Sequence, residues 1–179
     1  MPAYNFQRRF VFPILLGTKP HTIRRKRKNP TEAGDRIMMF TEMRTKQCVQ
    51  FGASVCVKVE PLILYPAQAE LLVDDGRGAY RWMSDYEITL LAQRDGFADA
   101  NGFFKFFRDT YKTHGSAIEM LDDFEIVHWD PMRVEVVPGV RIFSAVRMWA
   151  VRGTAAPYKP PLDRDAFLRN VEEVKHETR

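Results

Sequence analysis

Short runs of alternating or β-branched residues, each cut off by a Gly, Pro or Asp turn, recur along this chain and limit its fold more than any other feature. Tyr4–Phe10 alternates apolar and polar side chains, as a half-buried strand does. Val11–Leu16 predicts a short apolar turn of helix closed by Gly17. His21–Arg24 predicts a second strand, Arg25–Glu32 an exposed basic loop, and Arg36–Thr41 a third strand after the turn at Gly34-Asp35. Gln47–Leu64 predicts two more strands with Gly52 as a bulge or turn, the second rich in β-branched residues. Phe124–Trp129 is a further strand, and Arg133–Val137 and Arg141–Val151 make a pair around Pro138-Gly139.

Helical signals are fewer. Pro66–Gly78 is mixed and ends in a turn signal, and a helix follows it. Ser84 with Glu87 forms a capping box, Ile88, Leu91 and Ala92 recur at helical spacing, and Gly96 supplies the C-terminal cap. Gly102–Lys112 predicts a second helix with Phe103, Phe106 and Phe107 inward. Two helices in the middle with strands on both sides point to an α+β, mainly β fold. The expected sheet is curled or closed and capped by helices, not doubly wound. Residues 132–153 then extend the sheet. Residues 154–179 form a Pro-rich linker and an amphipathic helix with Phe167, Val171 and Val174 on one side, which packs back on the barrel or docks on a partner.

Composition removes several classes. With 13 Phe, 3 Trp and 6 Tyr in 179 residues, a core is available without disulfides, so Cys48 and Cys56 are expected to be reduced. Val11–Gly17 is too short to span a bilayer and lacks a cleavage site, so a cytoplasmic protein without a membrane partner is expected. The four histidines are scattered, no Cys-x-x-Cys pair exists, and the phosphate-loop and dinucleotide fingerprints are missing. The sequence asks for no metal and no other cofactor.

Charge is lopsided. Arg8, Arg9, Lys19, Arg24, Arg25, Lys26, Arg27 and Lys28 stand within the first 28 residues with no acid, leaving a net −4 on the other 151 residues. Such a patch on a near-neutral body suits phosphate, whose counterions Lys and Arg displace. Arg8, Arg9 and Arg24–Lys28 are therefore candidate nucleic-acid contacts, with Tyr4, Phe6 or Trp82 as aromatic platforms for an unpaired base.

Taken together, Phe6–Phe10, Ile14–Lys19, Thr22-Ile23-Arg24, Gly34-Asp35, Leu91–Phe97 and Phe124–Trp129 resemble an ASCH domain of the PUA-like class over residues 4–131. The resemblance implies a small β-barrel with helices at its side and a basic cleft around Lys19–Arg24. It also implies RNA or a modified nucleoside as partner. One branch of the family is similar to an amidohydrolase that removes the acetyl group from N4-acetylcytidine, another to a ribonuclease. By position, Lys19, Thr22 and Asp95 fall on the amidohydrolase branch's reactive lysine, threonine and acid. Two departures stand out: Pro20-His21 lies between the lysine and the threonine, and the acid is Asp where the branch has Glu, one methylene longer. Binding alone and hydrolysis both stay open at this level.

Overall fold

The structure, a computed structural model, describes residues 1–111 and 119–138. Eight strands and three α-helices follow one another along them. Strand β1 (Ala3–Phe6) leads into helix α1 (Arg8–Leu15), then β2 (His21–Arg25), β3 (Arg36–Thr41) and the 17-residue β4 (Val49–Tyr65). A hairpin of β5 (Glu70–Asp74) and β6 (Tyr80–Trp82) precedes α2 (Asp85–Arg94) and α3 (Ala100–Thr110). Strand β7 (Leu121–Trp129), one turn of 3-10 helix and β8 (Glu135–Val136) complete the described part. The strand pair's second member, Arg141–Val151, and everything expected of 154–179 lie outside the described residues.

Strand β4 is the spine. Its first half pairs antiparallel with β3 and β8, and its second half with β7 and β5. A register shift between Cys56 and Lys58 marks the change, because the extra residue kinks the strand there. Gly52 sits beside a second shift, opposite Met39/Phe40, so the expected break is a bulge within one strand.

Two cores result. Ile23, Leu62, Leu64, Phe124 and Ile126 pack under α2 and α3, whose Leu91, Phe103, Phe104 and Phe107 face them. Tyr4, Phe6, Ile37, Met39, Phe51, Val127 and Trp129 pack with Phe10, Val11 and Ile14 of α1. Strand β7 feeds both, since its alternate side chains point to opposite faces. Phe97, in the turn after α2, touches both cores.

Two expectations need correction. The first strand stops at Phe6, and Arg8, Arg9 and Phe10 lie in α1. A spacing of four satisfies both a strand and a helix, so Phe6 and Phe10 could not separate the two; the triplet Phe10, Val11, Ile14 marks the helical face. The barrel is also not closed. Among the described residues, strand β1 pairs in parallel with β3 only, and β2 pairs with β7 only. The seam between β1 and β2 carries no ladder. Side chains bridge it instead: Arg24 Nη2 donates to the Asn5 carbonyl at 2.8 Å, and Arg27 donates to the Ala3 carbonyl.

Candidate nucleoside cleft at the open seam

The seam shapes the site. A cavity of about 170 Å³ opens there, lined by Asn5, Gln7, Phe10, Lys19, Thr22, Ile23, Arg24, Asp95, Phe97, Phe106 and Phe107. Lys19, Thr22 and Asp95, separated by up to 76 positions in sequence, thus share one pocket with Arg24.

Local structure places each of them. Helix α1 ends with Gly17 at φ +73°, a left-handed turn that glycine adopts without a Cβ penalty. The Pro13 carbonyl then accepts from the Thr18 and Lys19 backbone N–H groups at 2.9 and 3.0 Å, which turns the chain and aims Lys19 back under the helix. The reversal sits at Gly17–Lys19. Asp95 is the C-cap of α2. Gly96 follows at φ +90°, and a Cβ there would lie 2.8 Å from two Phe10 ring carbons. Glycine at 96 is therefore demanded by backbone conformation and by Phe10, which also carries the Lys19 ammonium 4.7 Å above its ring.

Lys19 is 1% exposed, and its Nζ donates to Asp95 Oδ1 and, at 2.6 Å, to the Asp95 carbonyl. Burial pushes the amine down to about 8, with Asp95 opposing that shift. Burial likewise raises the Asp95 carboxyl above its usual range, against the pull of Lys19, Arg24 and Arg9. Both partners are driven toward neutrality because each charge has left water. Thr22 is buried, and its Oγ1 accepts from Arg24 Nε at 3.1 Å, so the hydroxyl hydrogen remains to be donated. Arg24 lies over the Phe6 ring at 5.2 Å, and Arg9 over Phe10 at 4.6 Å and Phe97 at 5.4 Å. Three cations around one carboxylate leave the site positive.

The remaining candidates scatter. Arg8 is paired with Glu42 at 2.7 Å and Arg25 with Asp123 at 2.8 Å. Arg27 lies 4.2 Å above the Tyr4 ring while it bridges the seam. Lys26 and Lys28 project as exposed side chains. Tyr4 and Phe6 are core residues, 1% and 2% exposed, and cannot stack on a base. Trp82 is exposed, but β6 lies at the far edge of the half-sheet whose other edge is β2. The aromatic walls of the cleft are instead Phe10, Phe97, Phe106 and Phe107. Asn5 and Gln7 line it as well and carried no sequence signal beyond their place in the first strand pattern.

Among the described residues, no group of three or more His, Cys, Asp or Glu could hold a metal ion, and no helix is long and apolar enough to cross a membrane. Compared with family models, curated proteins and solved structures, the chain finds no match. What fold and site define is a mixed α+β protein, mainly β, with an aromatic, positively charged cleft where its sheet fails to close.

Proposed function

We propose that the cleft takes one pyrimidine base of a modified nucleoside and that Thr22, Lys19 and Asp95 hydrolyse an acyl group carried on its exocyclic nitrogen. The observation that supports this reading is the buried Lys19–Asp95 pair sharing a one-ring cavity with Thr22. A cavity of roughly 150 Å³ holds a benzene-sized ring, so the size fits a single base and not a stacked pair. The ASCH resemblance puts the same three residues in the reactive set.

In this reading the Thr22 hydroxyl attacks the acyl carbon, and the neutral form of Lys19 takes its proton. Lys19 then gives the proton to the departing exocyclic nitrogen, releasing the free base amine and leaving the acyl group on Thr22 as an ester. Water cleaves the ester, its second proton returns to Thr22, and a carboxylic acid departs. Arg24, already beside Oγ1, offers guanidinium N–H groups to the developing oxyanion. Asp95 holds the lysine in place and exchanges its proton.

A second reading has one specific support. Lys26 and Lys28, with Arg25, make an exposed basic flank after β2. There the same cleft takes an unpaired base of RNA while the flank meets phosphates, with or without strand scission. Arg8, Arg25 and Arg27 already have partners within the chain, which supports the nucleoside reading first. Incubation with N4-acylated cytidines and with labelled RNA separates the two: acyl release supports the hydrolase, retarded intact RNA a binder, and cleaved RNA a ribonuclease. No reaction and no binding with any of these would overturn both.

A further inference from the structure

His21 is the residue that the chemistry above leaves unused. It is 2% exposed, and among the described residues its Nε2 has no hydrogen-bond partner. The Leu91 backbone also lies against the ring. Burial and the neighbouring cations hold the ring neutral, and a neutral imidazole keeps one bare nitrogen able to accept. Nε2 lies 4.0 Å from Asp95 Oδ1, the same oxygen that receives Lys19 Nζ. An orphaned buried acceptor is costly unless some state of the site uses it.

We infer that His21 is a positioning residue for the Lys19–Asp95 pair: its Nε2 accepts the carboxyl hydrogen of Asp95 in the state where Lys19 has become a neutral amine. The step moves one proton from Nζ to Oδ1 and turns an ion pair into two neutral groups. The new O–H then closes on Nε2, which needs about 1 Å of approach. A buried lysine is thereby released as a base without either partner leaving the site. As a device for hydrolysis this rests on the function proposed above; as a coupling between His21 and Lys19 it does not.

Other groups face the same ring. Lys19 comes from the preceding turn, and Arg94 and Asp95 from α2. The ring of His128 on β7 lies tilted at 5.3 Å between centroids, with its Nε2 2.6 Å from Glu60 Oε2 and Lys58 beyond, both on β4. The cations and burial keep His21 neutral, as an acceptor must be.

The test titrates the Lys19 amine by NMR in the full chain carrying labelled lysine. His21→Asn is too short to reach Asp95, whereas His21→Gln reaches it. Loss of the acceptor favours ionised Asp95, which holds the lysine's proton. Lys19 in H21N should therefore titrate about one pH unit higher than in the parent, with H21Q close to the parent. Identical titration of Lys19 in H21N and the parent overturns the inference. Imidazole nitrogen shifts of the parent give a check that no variant's folding can spoil: the Nδ1–H tautomer is expected at His21, and an Nε2–H tautomer overturns it. A shifted lysine with no acyl release would keep His21's role and discard the hydrolase. Acyl release with an unmoved lysine would do the reverse.

Discussion

The cleft and the loop that leaves β2 are both cationic, yet they hold their charges in opposite ways. Lys19 has lost nearly all its water and depends on the carboxylate and carbonyl of Asp95 and on one aromatic ring. Arg25 keeps its solvent and adds Asp123 as an exposed neighbour. A surface pair of that kind is worth about 0–1 kcal/mol, while breaking a buried one costs several times as much. Charge count treats the two regions alike; desolvation decides which of them can do chemistry.

The sharpest way to break this contrast is to uncouple the buried pair. Lys19→Met should destabilise the fold by about 3–5 kcal/mol in chemical denaturation, since the buried Asp95 carboxyl loses its ammonium partner. Lys19→Met with Asp95→Leu should recover most of that loss. Equal stability of the single variant and the parent would show that the pair is solvated after all. Thr22→Val should lower acyl release on the order of a thousandfold or more while costing little stability. Unchanged turnover would remove Thr22 from the reaction.

Gly96→Ala should destabilise by about 2 kcal/mol, because its Cβ meets the Phe10 ring; a neutral result in thermal melts would mean Phe10 moves freely. The pH dependence separates the regions too. The native state releases the Lys19 proton near 8, whereas the unfolded chain keeps it to about 10.5. Between those values the unfolded state binds more protons, so this lysine's contribution makes stability rise with pH. That rise should vanish in the Lys19→Met, Asp95→Leu variant. Smallest is the loop: Lys26→Gln with Lys28→Gln should change stability by less than about 0.5 kcal/mol. If RNA binds, the same pair should flatten the salt slope by about 1.4.

The capped helix at Ser84 and the strand at 36–41 were legible because local signals decide them: a reciprocal capping box and a glycine-led turn act within four residues. That Lys19, Thr22 and Asp95 line one cavity was foreshadowed only by a family resemblance. No periodicity links positions 19 and 95. The failures are also physical. Arg8–Phe10 joined a helix because tertiary packing of Phe10, Val11 and Ile14 outweighed the alternation before them. Tyr4 and Phe6 could be stacking platforms or core on sequence alone, and burial chose core. The open seam left no mark in the sequence, since unpaired strand edges are set by where chain segments end up.

That seam fixes how the molecule can breathe. A barrel sealed by a ladder widens only when a row of backbone bonds lets go together. Here β1 and β2 are joined by two guanidinium groups, each of which can swing away alone and find water within a side chain's length. Access to the cleft is therefore metered by two latches worth about 1–3 kcal/mol apiece, and the sheet on either side need not unzip at all.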